Sequence, residues 1–450
     1  MGKLFGTDGI RGQANCYPIT PEIALQLGKT LAQAFDASGH GSQRIIIGKD
    51  TRLSGYMLET ALTSGLVSMG MDVFLVGPVP TPTVAHLTRS MGAAAGIMLT
   101  ASHNPSDDNG IKIFGSDGYK LSDEKEDQIE NQILGGHVAS DHVRSDRLGK
   151  AHRIEDARGR YIEFAKSTVD NQNLSGLKVV LDCANGAGYF MGPLIFKELG
   201  AEVTKVCGDP DGYNINNGCG ALHPDAAGRL VRDHDADVGI SLDGDADRVI
   251  FCDATGSVVD GDRILAMCAL DFHERGCLND DNLVVTSMSN LGLVDAMRKN
   301  GISVTTTDVG DRHVIEAMRH NDYNLGGEKS GHLIFLDFAT TGDGIISALQ
   351  VLKLMKQKNA TLTELADCMV EYPQRLISIP VREKKPLSEL DGFQSLLSKC
   401  RREMGDSGRT VVRYSGTEKK LRLLVESPDI TVTEHWAETL SAAVAREIGA

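Results

Sequence analysis

Short apolar runs rich in β-branched residues recur along the chain, each followed by a polar turn and then by apolar positions at helical spacing. Residues 44–48 (RIIIG) lead into a helical pattern over 54–69. The run 178–182 (KVVLD) passes through Asn185-Gly186-Ala187-Gly188 into a helix ending near Gly200. The run 283–286 (LVVT) leads into a helix over 290–300. Apolar runs of this length between helices predict buried, largely parallel strands. The repetition suggests three related α/β units. After about Val370 the pattern changes. Residues 371–373 (EYP) and 383–386 (EKKP) are polar and marked by proline, which suits a linker. A helix over 387–402, strands over 409–414 and 420–426 and a final helix over 432–448 then predict a small α+β unit.

Composition changes this picture little, but it narrows the partners. A chain of 450 residues with 41% hydrophobic and 24% charged positions has ample material for several buried cores. The formal net charge of −15 argues against nucleic acid and anionic membranes as partners. It also means that an anionic substrate has to be met by a local group of Arg and Lys. No stretch is long and apolar enough for a membrane span or a signal peptide. The nine cysteines form no CxxC pair, which argues against a zinc or disulfide framework and fits a reducing, cytoplasmic location.

The candidate chemistry sits in four polar loops. Thr100-Ala101-Ser102-His103-Asn104-Pro105 follows the apolar run Gly96-Ile97-Met98-Leu99, so Ser102 lies at a strand end, where open α/β sheets place ligands. Asp243-Gly244-Asp245-Ala246-Asp247-Arg248 follows 238–242 (VGISL). Its three alternating carboxylates repel one another unless a cation joins them, and hard oxygen ligands suit magnesium or calcium. An EF-hand is excluded because its sixth position holds Arg248 and its twelfth Ala254. Gly326-Gly327-Glu328-Lys329-Ser330-Gly331-His332 offers Glu328 and Ser330 for hydroxyl groups and His332 as an acid or base. Arg413-Tyr414-Ser415-Gly416-Thr417 combines a guanidinium with two hydroxyls and backbone donors, the makings of a phosphate cradle. Arg11 and Lys112 add positive charge near the other loops. Together these parts suit phosphoryl transfer on a sugar.

The chain resembles the α-D-phosphohexomutase family over its whole length. The resemblance is carried by FGTDGIRG at 5–12, TASHNP at 100–105, DGDADR at 243–248, GEKSGH at 327–332 and RYSGTE at 413–418. The first motif, together with Val309-Gly310-Asp311-Arg312, points to the glucosamine branch. The family implies an α/β fold of three similar mixed α/β domains plus a smaller C-terminal α+β domain around a central cleft. The expected division is a phosphoserine domain over 1–155, a metal-binding domain over 156–254, a sugar-binding domain over 255–370 and a phosphate-binding domain over 371–450. The resemblance implies that Ser102 carries a phosphoryl group. Asp243, Asp245 and Asp247 would hold Mg²⁺ together with the phosphate on Ser102. Arg11, Lys112 and His332 would serve catalysis, Lys112 and His332 as proton-transfer groups. Arg248, Glu328, Ser330, Arg413, Ser415, Gly416 and Thr417 would bind substrate.

The implied reaction interconverts glucosamine 6-phosphate and glucosamine 1-phosphate, with glucosamine 1,6-bisphosphate as intermediate and activator. It supplies a precursor of UDP-N-acetylglucosamine and so of peptidoglycan. The expected partner is a hexosamine phosphate, and a homodimer is one of the oligomeric states left open. Alternatives are a phosphomannomutase/phosphoglucomutase of the same family, a non-catalytic sugar-phosphate sensor and a phosphatase. The chain departs from the family pattern at Lys329, where Gln is usual, at His313, where Tyr is usual, and at Lys419, where Pro is usual.

Overall fold

The structure is a computed structural model and describes residues 4–6, 8–36, 43–136, 143–415 and 419–450. Four sheets follow one another along the chain, of seven, five, four and three strands. The first three share one arrangement. A central strand is flanked by two parallel neighbours, and the second neighbour turns back into an antiparallel strand. In the first sheet the central strand is Arg44–Lys49, between Asp72–Pro78 and Ala95–Leu99, and Asp108–Gly115 returns antiparallel. In the second, Lys178–Asp182 lies between Glu202–Val206 and Val238–Leu242, and Val249–Asp253 returns. In the third, Asn282–Thr286 lies between Ser303–Thr307 and Leu325–Gly327, and Leu333–Phe335 returns. The repetition legible in the apolar runs is therefore a repeated topology. The sheets are mixed rather than largely parallel, because each ends in an antiparallel strand that the runs alone do not reveal.

The expected helices form where the spacing puts them, at Ser54–Ser68, Met191–Glu198 and Leu291–Lys299. Burial of their apolar faces against the sheets stabilises them, since isolated helices of this length are marginal in water. The helices Pro21–Asp36 and Ser54–Ser68 cross closely: a Cβ on Gly28 would lie 2.6 Å from the Leu62 carbonyl oxygen, and one on Gly65 would lie 2.4 Å from that of Leu25. One apolar core runs without interruption from Ile46, Val84 and Met98 of the first unit through Leu181, Ile240 and Phe251 to Leu283, Leu333 and Leu349 of the third. The three units are thus packed as one body.

The C-terminal unit has its own core around Phe393, Leu423, Trp436 and Leu440. Between the two proline-marked stretches read as linker lies a strand, Gln374–Pro380, which pairs along its whole length with Lys420–Glu426; Arg409–Tyr414 completes the sheet on the other side. Its alternating Arg375, Leu376, Ile377 and Ser378 lie at an edge, where one face stays wet and the apolar signal is weak. The final helix, Ile430–Ile448, begins two residues before the expected start because the Asp429 side chain caps it. Asn290 ties this unit to the third by donating to the Tyr372 carbonyl at 3.0 Å and accepting the Tyr372 amide at 2.9 Å.

A buried contact joins the second and third units. The Tyr161 hydroxyl donates to Asp343 Oδ2 at 2.7 Å, and Asp343 also accepts the Ile345 and Ile346 amides at 3.0 and 2.9 Å, capping the helix Gly344–Lys358. Burial pushes the Asp343 carboxyl up to about 6, against the pull of these donors. Tyr161→Phe removes one donor from a buried carboxylate and is expected to lower unfolding stability by about 1–3 kcal/mol, read by thermal or urea denaturation. The hydroxyl bond favours the ionised carboxylate. Without that bond the variant's carboxyl titrates higher than the wild-type value of about 6, so the deficit is full only above the variant's value and is lost as pH falls through about 6. An unchanged midpoint at neutral pH would contradict the assignment.

Candidate functional site

The three chemistry-bearing loops of the first three units occupy one topological position, the turn between the last parallel strand and the antiparallel return strand. The strand Ala95–Leu99 is wholly buried and delivers Ser102 into the interior, 1% exposed. Ser102 has a φ of +52°, a left-handed conformation that costs a residue bearing a Cβ. The surroundings hold it there. Its amide donates to Thr100 Oγ1 at 2.9 Å and its hydroxyl to Asp243 Oδ2 at 2.6 Å. Arg52, fully buried and paired with Asp50 at 2.8 Å, donates to the carbonyls of Ser102 at 3.0 Å, Asn104 at 2.7 Å and Asp108 at 2.9 Å, and also to that of Pro105. The Asn216 amide reaches the Ser102 and Asn104 carbonyls from the second unit, at 2.9 and 3.0 Å. A Cβ at Gly244 would lie 2.5 Å from the Ser102 carbonyl oxygen, so glycine is needed for the two loops to touch.

Asp243, Asp245 and Asp247 are all buried, and one oxygen from each lies within 4.8 Å of the others. The Lys112 ammonium donates to Asp245 Oδ2 and to Asp247 Oδ2, both at 2.9 Å. Thr81 donates to Asp245 Oδ2 at 2.6 Å, and the Arg248 amide to Asp243 Oδ1 at 3.1 Å. Asp245 Oδ1 and Asp247 Oδ1 are buried with no hydrogen-bond partner among the described residues. Burial, and then the Asp247 and Asp245 charges, push the Asp243 carboxyl well above the usual range. Asp247 goes the other way: burial alone would raise it, but Lys112 and His332 hold it well below. Burial would likewise lower the Lys112 ammonium, yet Asp245, Asp247 and Asp8 hold it well above its ordinary value, so it keeps its proton. Convergent buried oxygens, two without a partner, fit a small hard cation such as Mg²⁺.

Around the triplet runs a closed ring of charges. Lys112 also approaches Asp8 at 3.4 Å, and Asp8 pairs with Lys120, which pairs with Asp311. Asp311 lies 3.5 Å from His332 Nε2, and His332 Nδ1 lies 3.6 Å from Asp247. The ring draws on all three units. Above it opens a cavity of about 530 Å³, lined among others by Arg11, His103, Asp247, Arg248, Glu328 and His332. Arg248 contacts His103 Nδ1 at 3.1 Å. Burial, and then the Arg248 and Arg11 charges, hold the His103 imidazole down at about 4, so it is neutral and adds no charge to the two guanidiniums. The cavity therefore sets cationic groups above a buried carboxylate cluster.

In the third loop Glu328 lines the cavity and accepts the Gly310 amide at 3.1 Å; the exposed Ser330 donates to Glu328 at 3.1 Å. Lys329 turns away to Glu371 at 2.9 Å and Asp260 at 3.4 Å and is not among the lining residues. His313 is also directed elsewhere, 3.9 Å from Glu316. The described residues of the fourth loop do not line the cavity. Arg413 is exposed on the strand Arg409–Tyr414, and Ser415 accepts Lys384 on its carbonyl at 2.6 Å; neither lines the cavity. Gly416 and Thr417 lie outside the described residues.

The four sheets coincide with four matches to family models. Phosphoglucomutase/phosphomannomutase alpha/beta/alpha domain I matches residues 2–137, domain II 159–256, domain III 260–372 and the C-terminal domain 376–443. The chain belongs to the phosphoglucomutase/phosphomannomutase family. Within it, the phosphoglucosamine mutase of Geotalea daltonii is 51% identical over 450 residues, covering 100% of this chain and 99% of the relative. That of Myxococcus xanthus is 49% identical over 447 residues, covering 99% and 97%. Among solved structures, a phosphoglucomutase/phosphomannomutase family protein from Burkholderia thailandensis shares the fold with a TM-score of 0.83 at 22% identity, covering 98% of this chain and 97% of that one. The N-acetylphosphoglucosamine mutase of Aspergillus fumigatus, solved with GlcNAc-6P and magnesium, has a TM-score of 0.67 at 18% identity, covering 98% and 95%.

Asp50, Arg52, Thr81, Lys120 and Asn216 escaped the motif reading of this phosphohexomutase site, and Asp311 entered it only within the branch segment 309–312. Position could have marked two of them, since Asp50 and Arg52 follow a buried strand of the first sheet. Arg52→Met would strip the serine loop of its donor and leave Asp50 as an uncompensated buried carboxylate. Such losses cost about 3–5 kcal/mol, which urea denaturation would read. A loss below about 1 kcal/mol, within the range of a surface ion pair, would contradict the clamp.

Proposed function

We propose that the protein is an isomerase that interconverts glucosamine 6-phosphate and glucosamine 1-phosphate through a phosphoserine at Ser102 and glucosamine 1,6-bisphosphate. The observation that carries the reading is the Ser102 hydroxyl on Asp243, beside two buried carboxylate oxygens with no hydrogen-bond partner among the described residues. The relatives' names support the amino sugar as substrate. Mg²⁺ would be held by Asp243, Asp245 and Asp247 with the phosphate on Ser102, and would neutralise charge on the transferring group.

The chain's own residues do the rest. Arg52 and Asn216 hold the serine loop rigid. Lys112, kept protonated, supplies fixed positive charge and a proton to donate. Arg11 and Arg248 meet the phosphate in the cavity and overcome the negative charge of the whole chain. Glu328, steadied by Ser330, takes the sugar hydroxyls. The buried His332 sits between two carboxylates that raise its pKa above the ordinary imidazole value, against burial, so it can hold and pass a proton. Arg413, Ser415, Gly416 and Thr417 grip the phosphate that is not reacting, which requires the C-terminal unit to move toward the cavity. Such a lid also lets go, so that the bisphosphate can turn between half-reactions. We place the unit boundaries at 155, 254 and 370, and the protein in the cytoplasm; among the described residues no helix is long and apolar enough to cross a membrane.

The test is a coupled mutase assay with the bisphosphate added, on glucosamine 6-phosphate, glucose 1-phosphate and mannose 1-phosphate side by side. The highest kcat/KM is expected on the amino sugar, with activity abolished by chelation and restored by Mg²⁺. Equal or better kcat/KM on the glucose or mannose phosphate would move the protein to the other branch. Steady release of inorganic phosphate without isomerisation would make it a phosphatase.

A further inference from the structure

The second sheet holds another group of ligating side chains, away from the cavity. Asp182 ends the strand Lys178–Asp182, and Cys207 directly follows the parallel neighbour Glu202–Val206, whose Val206 stands opposite Asp182 in register. Cys219 comes from the loop before the helix Pro224–Asp233. One carboxylate oxygen of Asp182 and the Sγ atoms of Cys207 and Cys219 all lie within 4.8 Å of one another. The cysteines are scattered in sequence; the parallel pairing of two strands sets Cys207 beside Asp182, and the loop before the helix brings Cys219 to them.

Several features make this more than a chance meeting of side chains. Asp182 and Cys219 are buried, while Cys207 is exposed, so the group has one open side. Asp182 is held in orientation by the Ala184 amide on Oδ1 at 2.8 Å and the Gly220 amide on Oδ2 at 2.7 Å, leaving each oxygen a further lone pair. Cys207 adopts a left-handed φ of +44°, a strained conformation for a cysteine. In a tetrahedral site with metal–sulfur bonds of about 2.3 Å, ligand atoms stand about 3.8 Å apart, so the group needs to contract by at most about 1 Å.

We propose that Asp182, Cys207 and Cys219 form a second cation site, for a thiophilic divalent ion of the zinc class. Two thiolates select such an ion over Mg²⁺, and the all-carboxylate triplet at Asp243 has the opposite preference. Binding forms two metal–sulfur bonds and one metal–oxygen bond and releases the two thiol protons to solvent, with no change of oxidation state. Water fills the fourth position on the open side of Cys207. The loop that carries Cys219 also carries Asn216, whose amide holds the Ser102 and Asn104 carbonyls. An ion here fixes the loop that backs the serine.

The test is titration of the full chain with Co²⁺, with Mg²⁺ in excess to keep the triplet filled. A single equivalent should give the near-ultraviolet thiolate-to-cobalt charge-transfer band, and Zn²⁺ should displace it. The band should vanish in Cys207→Ser, an exposed change that leaves the core intact. Affinity should fall by about tenfold or more in Asp182→Asn. The band should persist in Asp245→Asn and in Cys16→Ser, whose cysteine is exposed elsewhere. Absence of the band, its survival in Cys207→Ser, or recovery of Cys207 and Cys219 as a disulfide from cells lysed into an alkylating reagent would overturn the site.

Discussion

The ammonium of Lys112 lies 2.9 Å from both Asp245 and Asp247 and 3.4 Å from Asp8, with Asp243 buried alongside. One buried cation cannot balance so many carboxylates, and an isolated buried charge is very costly. The surroundings answer by dividing the load. Asp247 stays ionised against Lys112, Asp243 shifts upward and takes the Ser102 hydroxyl, and Asp8 and Asp311 share Lys120. The nucleophile candidate is thus part of the charge balance. A dication at the triplet would offset the excess of carboxylate, whereas a phosphate on Ser102 would add negative charge and so depend on that dication.

The scaffold delivers this cluster by repeating one topology. In each of the first three units, the turn after the last parallel strand points a polar loop at the same centre: Ser102 from the first, the Asp triplet from the second, Glu328 and His332 from the third. The shared core running through all three fixes their relative position, so loops far apart in sequence meet within hydrogen-bond distance. The C-terminal unit stands apart from this economy. It has a separate core and is joined through Asn290 and Tyr372 and through Glu426, which accepts the Leu291 amide at 2.7 Å. Its described residues Arg413 and Ser415 do not line the cavity.

Much of this was legible in the sequence. The apolar runs marked the strands because buried strands leave long uninterrupted signals, and the motif loops stood out only in combination, since any one of them could be a plain turn. The return strands were harder to see: 333–335 is short, and 249–253 carries no alternation to mark its direction. The strand Gln374–Pro380 was hidden by its exposed face and flanking prolines. Arg52 and Asn216 went unnoticed because they act on backbone carbonyls. No residue spacing encodes such contacts; only the packing of one loop on another creates them. The meeting of Cys207 with Asp182 likewise depends on strand register, and that of Cys219 with both on how its loop packs, neither of which the spacing of cysteines contains.

The central claim is that the phosphoryl group passes through Ser102, and a single-turnover experiment tests it most directly. Protein carrying a labelled phosphoryl group on Ser102 is mixed with unlabelled glucosamine 6-phosphate in the presence of Mg²⁺ and quenched at intervals. The account predicts that label leaves Ser102 and enters the sugar no more slowly than product forms. Label that stays on Ser102 while glucosamine 1-phosphate accumulates would contradict it.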